Sequence, residues 1–245
     1  VSYEVVTKPD VYQDPKTGKY KRRREISKNE LVRQRLKILS QINQLRFKYV
    51  INDIWFSSKD NMNWIKQELH KEFVMALKDN RLVALSEQDK VQGRFVALAE
   101  LDLKPGQCRL VYLKGVEFPV LVAKQVFINQ DGSTGTLYLV SSDTTLTYDQ
   151  LTTIYHKRWN VELIHKSLKQ NAALEKSPTQ TIRTQCNHIF GSMVAVTKLE
   201  CLTLSQQTNH FALKSKLYLK AIKAAFEELR NLNCQSLDSV KFPFA

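Results

Sequence analysis

Four cysteines in 245 residues are too few, and too scattered, for a disulfide framework or a zinc site. Cys108, Cys186, Cys201 and Cys234 form no C-x-x-C pair, and no His stands at zinc-finger spacing from two of them. They read as reduced packing residues. No apolar run approaches membrane-spanning length, and the first residues lack the basic-then-apolar pattern of a secretory leader. The expectation from these absences is a cytoplasmic protein with no membrane partner. Repeats and low-complexity segments are missing as well.

Acidic residues are in short supply. Asp and Glu number 24 against 37 Lys and Arg, a formal net charge of +13. Such an excess favours a polyanionic partner, and nucleic acid is the commonest soluble one. Charge alone does not separate DNA from RNA or from an anionic membrane surface. The 43% hydrophobic content supports a sizeable core in one domain, or in one domain with an insertion.

Pro and Gly are absent from residues 148–174, which read as one helix from about Tyr148 to Leu174. Ile154, Val161, Ile164, Leu168 and Ala172 recur at helical spacing as an apolar stripe. At about 100° per residue, Tyr155, Arg158, Glu162 and Lys169 fall within roughly 60° of one another. A carboxylate then sits between two cations beside a phenol. The plain alternative is a solvated face with pairs such as Arg158 to Glu162, worth a few tenths of a kcal/mol.

Upstream, Ser2–Thr7 reads as a strand and residues 14–18 as a turn, followed by the basic run from Lys19 to Arg24 with Arg22 and Arg23. That run suits either solvent or phosphate. Ser27 caps a helix to about Asn43, with Glu30 at the capping-box position and Leu31, Ile38 and Leu45 along its inner side. Phe47 to Asp53 is a short strand ending on an acid; a helix from Ser58 or Asp60 to about His70 and a strand from Phe73 to Leu77 follow. An acid at the carboxyl end of a strand stands where open α/β sheets place their sites. A local turn role for Asp53 is the equal alternative. Short alternating runs at 94–99, 109–113, 120–128 and 136–140 predict β structure, and two helical stretches close the chain, 178–204 and 215–232. His188 and Met193 on the first suit packing, and Lys214, Lys216, Lys220 and Lys223 on the second suit solvent.

The spacing Tyr155, two residues, Arg158, three residues, Glu162, six residues, Lys169 resembles the last catalytic block of DDE transposases of the insertion-sequence-four group. Asp53-Ile54-Trp55-Phe56-Ser57-Ser58 is similar to the middle block of that group, with Ile54 where Ser is usual. The resemblance covers roughly Tyr3 to Ile189. It implies an α/β fold: an incomplete RNase H-like core over 1–80, a β-rich insertion over 81–146, a catalytic helix over 147–175 and a C-terminal helical region over 176–245. It also implies that Asp53 and Glu162 are catalytic and hold Mg²⁺, with Mn²⁺ as substitute, and that Tyr155, Arg158 and Lys169 hold DNA. Lys166, on the same cationic face, joins them as a DNA contact.

Double-stranded DNA is the expected partner, with a homodimer as a candidate assembly. In the group a Trp of the insertion stacks on a flipped base. None occurs between Leu82 and Leu146, and the rings there, Tyr112, Phe118, Phe127 and Tyr138, suit core packing. The first acid of the group has no counterpart, because Asp10 and Asp14 sit in a Pro-containing turn region and the chain opens on Val1. The expectation is a transposase lacking its first part, one that binds DNA without cutting it. The competing readings are a non-catalytic DNA-binding protein and an E-x-x-H metal pair, Glu162 with His165, which needs a second such pair that the sequence lacks.

Overall fold

A strand buried on both faces organises the N-terminal unit. Apart from positions 24 and 179, the computed structural model describes residues 10–239, with side chains followed to 231. The strand expected over Ser2–Thr7, and Arg24 of the basic run, lie outside the described residues. The chain divides between Asn160 and Val161 into two compact units.

In the first unit, β1 (Asp10–Gln13) and β2 (Tyr20–Arg23) form a hairpin around the expected turn, where Gly18 takes φ +65°. The basic run on β2 is exposed, and the Arg23 guanidinium lies 5.4 Å from the Tyr12 ring centroid. Helix α1 (Lys28–Lys37) begins where the capping residue predicted it, with the Glu30 N–H donating to Ser27 Oγ at 3.1 Å. It continues as a π-helical turn over Ile38–Ile42. Leu36 supplies its core contact, while Leu45, expected on the inner side, lies past the helix end and is exposed.

Strands β3 (Tyr49–Asn52) and β4 (Glu72–Leu77) run parallel. The connection between them holds a 3-10 turn (Ile54–Phe56), α2 (Lys59–Asn63) and a π-helical turn (Trp64–Glu68). Five more strands follow: β5 (Leu82–Ala84), β6 (Val96–Ala97), β7 (Cys108–Leu113), β8 (Val120–Ile128) and β9 (Thr134–Ser141). A short α3 (Glu87–Val91) separates β5 from β6. These strands extend the sheet that holds β3 and β4, because β9 pairs antiparallel with β4. The order is β3-β4-β9-β8-β7-β5-β6, a mixed α/β sheet.

Side chains alternate across a strand, and β4 is apolar at every position from 73 to 77. Phe73, Met75 and Leu77 face one core with Met62 and Ile65 from the α2 region; Val74 and Ala76 face the other with Ala123, Leu139 and Leu151. Leu151 belongs to α4 (Tyr148–His156), which Thr147 caps in a reciprocal box with Gln150.

The stretch 148–174 is therefore not one helix. It turns at Lys157 and Arg158, where the Lys157 and Arg158 N–H groups donate three residues back, to the Ile154 and Tyr155 carbonyls. Helix α5 (Trp159–Asn171) starts anew. The stripe splits with it: Ile154 packs on the second core, Leu168 is buried in the second unit, and Val161 and Ile164 are exposed. The second unit continues with α6 (Ile182–Gln206) and α7 (His210–Ser239).

At the end of the sheet where β3 and β4 begin, Asp143 is nearly buried and accepts from Tyr49 Oη at 2.7 Å and Thr145 Oγ1 at 2.6 Å, and pairs with Lys48 at 3.0 Å. Burial pushes this carboxyl up, but the bonds from Thr145, Tyr49 and Lys48 outweigh it and hold it well below the usual carboxylate range. Its contribution to stability is full above the ordinary carboxylate pKa of about 4 and is lost as pH falls toward the depressed value. The urea-midpoint difference between wild type and Asp143→Asn should be largest near neutral pH and shrink below about pH 4. A gap unchanged down to about pH 3 would contradict the linkage.

Leu151 is fully buried, so Leu151→Ala should cost ~2–5 kcal/mol in equilibrium unfolding. A loss under about 1 kcal/mol would mean that α4 does not depend on this anchor.

Candidate active site and nucleic-acid interface

Asp53 is the first residue beyond β3 and caps the 3-10 turn that follows. Its Oδ1 accepts from the Ile54 N–H at 2.6 Å and its carbonyl from the Phe56 N–H at 3.0 Å. The turn role and the strand-end position, alternatives in the sequence, hold together. One carboxylate oxygen fixes the turn, and no hydrogen bond occupies Oδ2 among the described residues. The preceding Asn52 has a buried Nδ2 without a partner among them.

Ile54, the departure from the resembled block, packs against the second core, as do Ile154 and Tyr155 of α4. An apolar residue at 54 thus ties the turn after β3 to the helix carrying Tyr155. The consequence is electrostatic. Burial raises the Tyr155 pKa, Arg158 lowers it, and the Asp53 charge raises it. Arg158 follows at the turn between α4 and α5, its guanidinium 5.7 Å from the Tyr155 ring centroid. Three of the six candidate residues, Asp53, Tyr155 and Arg158, therefore belong to the first unit, with Asp53 at the carboxyl end of β3 and Arg158 beside the Tyr155 ring.

Glu162, Lys166 and Lys169 belong to the second unit. They lie on the exposed face of α5, within roughly 60° of each other about the helix axis, opposite buried Ser167 and Leu168. Glu162 is in the first turn, where the helix dipole favours a carboxylate. Lys166 lies 5.4 Å from the Phe211 ring centroid and Lys169 pairs with Glu175 at 2.6 Å. Both lysines thus have partners in the chain. Among the described residues no three His, Cys, Asp or Glu side chains gather as a metal cluster.

Sequence reading missed the polar anchor of this unit, since its members stand far apart in the chain and carry no motif. Ser167 Oγ lies 2.7 Å from His210 Nδ1 and accepts from Asn171 Nδ2 at 3.1 Å. His210 Nε2 stands 2.6 Å from the Glu200 carboxylate, off the line of a hydrogen bond. His188, expected to pack, lies with Nε2 2.9 Å from the Ala173 carbonyl. Ser167 is buried, so the constellation fastens α5, α6 and α7 rather than presenting a nucleophile.

Among the insertion rings, Tyr138 is buried and Phe118 packs beside Phe73 at 6.2 Å between centroids. Tyr112 is half-buried under the Lys90 ammonium, 5.5 Å from its centroid. Phe127 is half-exposed and lies over Gly135 of the neighbouring strand, where a Cβ would meet its ring at 2.2 Å.

The family model described as the transposase DDE domain matches residues 23–197, well over half of the chain and all six candidate residues. The chain belongs to the transposase DDE domain family, whose members act on DNA. No curated protein matches it. Among the described residues no helix is long and apolar enough to cross a membrane.

The proximity of Asp53 and Tyr155 is directly measurable. Because the Asp53 charge raises the Tyr155 pKa, Asp53→Asn should lower it, seen in a ¹³Cζ-tyrosine NMR titration against wild type. An unmoved or raised Tyr155 titration would separate the two residues.

Proposed function

We propose that this chain is a DDE transposase of the insertion-sequence-four group, with an RNase H-like core, that binds double-stranded DNA, and that its Asp53 and Glu162 serve Mg²⁺-dependent action on the phosphodiester backbone only together with a third carboxylate. The observation that carries this reading is the packing of Ile54, next to Asp53 at the end of β3, and of Tyr155, with Arg158 beside its ring, against one core. The acid follows β3, on the side of a parallel pair where α/β folds bind ligands, and the phenol and guanidinium come from a stretch about a hundred residues further along the chain. The spacing from Tyr155 through Arg158 and Glu162 to Lys169 supports the group.

Asp53 and Glu162 are the proposed metal ligands. Carboxylates suit a hard cation, and Asp53 keeps one oxygen free of the turn it caps. A bound Mg²⁺ would supply a nucleophilic water at neutral pH and offset charge on the leaving oxygen. The protein's side chains do the rest. Tyr155, its pKa raised, stays protonated at neutral pH and donates to a phosphate oxygen. Arg158 offers a planar fork to two phosphate oxygens. The exposed Lys169–Glu175 pair is worth about 0–1 kcal/mol, so a phosphate can replace Glu175 at little cost. Lys166 adds a further cation on that face.

Two titrations test the proposal. Free Mn²⁺, followed by its electron paramagnetic resonance signal, should be taken up by the wild type, and Asp53→Asn and Glu162→Gln should each weaken uptake by roughly tenfold or more. Uptake unchanged in both variants removes the metal assignment and leaves a DNA-binding protein. On duplex DNA, Lys169→Ala should reduce the slope of log-affinity against log-salt by about 0.9. A chain with no affinity for duplex DNA overturns the reading.

A further inference from the structure

The helical unit has an apolar groove of its own, about 400 Å³ in volume. Its walls are an αα-hairpin, since α6 and α7 are joined by residues 207–209 alone. Ala195, Lys198, Leu199 and Leu202 line it from α6, at helical intervals of three and four. Lys214, Leu217, Tyr218 and Ala221 line it from α7 at the same intervals, and Asn171, the last residue of α5, borders it. A stripe of that spacing covers two turns, so the groove runs about 10 Å along the pair. Ala195 and Ala221 stand equally far from the connection, one on each helix, and their methyl groups leave space that larger side chains would fill.

Apolar surface and charge are both on offer in this groove. Leu199 is buried, whereas Leu202, Leu217 and Tyr218 are 39%, 45% and 59% exposed. Covering those side chains with an apolar partner is favourable in proportion to the area removed from water. Each wall also carries a cation. Lys198 is exposed on α6. Lys214 on α7 is half-buried, lies 5.6 Å from the Tyr218 ring centroid and donates to the Gln170 carbonyl. An ammonium has three donors, so Lys214 keeps two for another partner. No acid is among the residues that line the groove. Glu200, the one acid of α6, stands 2.6 Å from His210 instead.

The cations on the two walls select the occupant. A helix laid between α6 and α7 packs its ridges into the groove they form. Carboxylates on both flanks of its apolar stripe would then meet Lys198 and Lys214. A second copy of this chain has no such helix to offer among the described residues. Helices α1, α5, α6 and α7 each carry more Lys and Arg than Asp and Glu. Helix α4, with Asp149 alone, packs Leu151 and Ile154 on the second core. We infer that the groove receives an acidic amphipathic helix of another protein, its apolar stripe on Leu199, Leu202 and Leu217 and its carboxylates on Lys198 and Lys214. Anchors at i, i+3, i+4 and i+7 are how a helix enters such a groove. The inference does not depend on the proposed action on DNA, because none of the six candidate residues lines the groove.

The test uses a fluorescein-labelled helical peptide of about fourteen residues, with Leu at i, i+3, i+4 and i+7 and Glu on both flanks. A second peptide carries Lys in place of every Glu. Anisotropy titrations with the full chain should show saturable binding of the acidic peptide and none of the basic one. Leu217→Asn should weaken the acidic peptide about tenfold or more, since an amide replaces an apolar anchor. Lys198→Glu should weaken it by a similar factor. The basic peptide should bind Lys198→Glu more tightly than wild type, as charge reversal across one contact requires. Leu217 is 45% exposed, so Leu217→Asn keeps the fold, which circular dichroism checks. Its affinity for duplex DNA should stay within about twofold of wild type.

No saturable binding of the acidic peptide, or binding that either variant leaves unchanged, overturns the inference. Equal binding of the basic peptide does so too, since the lysines would then select nothing. Wild-type self-association that Leu217→Asn abolishes, read by sedimentation velocity, gives the groove to a second copy and also overturns it. A wild type that binds the acidic peptide but no duplex DNA loses the proposed function and keeps this site.

Discussion

The double-sided burial of β4 is the constraint on which the first unit depends. Phe73, Met75 and Leu77 point into one core and Val74 and Ala76 into the other, so the strand has to be covered on both faces. The α2 region supplies one cover and α4 the other. Each cover brings a functional consequence. The crossover that contains α2 begins at Asp53, and α4 carries Tyr155 in its last turn, with Arg158 in the turn that follows. A helix that buries Leu151 against Val74 and Ala76, with Ile154 half-buried on the same core, has little freedom to carry Tyr155 elsewhere, since full burial of a leucine contributes ~1.5–3 kcal/mol.

Electrostatics divide the sheet end from end. Where β3 and β4 begin, acids and bases neutralise one another: Asp143 with Lys48 and Tyr49, and Glu72 with Lys66 and Ser142. These bonds tie β9 and the approach to α4 to the start of β3 and β4. Where β3 ends, Asp53 and Arg158 both act on Tyr155, and Lys78 and Arg81 line a cavity with Ile54 and Trp55 of the turn that Asp53 caps. A buried, satisfied network marks the first end, and Arg81 Nη2, buried without a partner among the described residues, belongs to the second.

The break at Lys157 and Arg158 changes how the signature of the third block is understood. As a continuous helix the four residues would share one face. As two helices joined by a tight turn, Tyr155 and Arg158 stay within 5.7 Å of each other and are held by the first unit, while Glu162, Lys166 and Lys169 ride on α5 of the second. Spacing in the sequence reflects this turn as readily as it reflects a helix, because residues three apart meet in both.

Much was legible in the sequence by itself. The cap at Ser27, the Asp14–Gly18 turn, the strand ending at Asp53, the β-rich middle and the helical C-terminal region follow from local chemistry: side-chain caps, glycine conformations and the alternation of apolar residues. The basic excess and the two spaced blocks pointed to DNA for the same reason, since charge and residue type are local properties. Tertiary structure alone decided what depends on distant partners. No local signal showed that the β-rich strands extend the β3–β4 sheet, because strand pairing is a long-range choice of register. None showed that Ile54 is apolar in order to join Tyr155 on the second core, or that Ser167, Glu200 and His210 fasten three helices. Nor did any local signal show that Lys78 and Arg81 come to lie around one cavity with Trp55, since the turn after β4 meets the turn after β3 only in the fold.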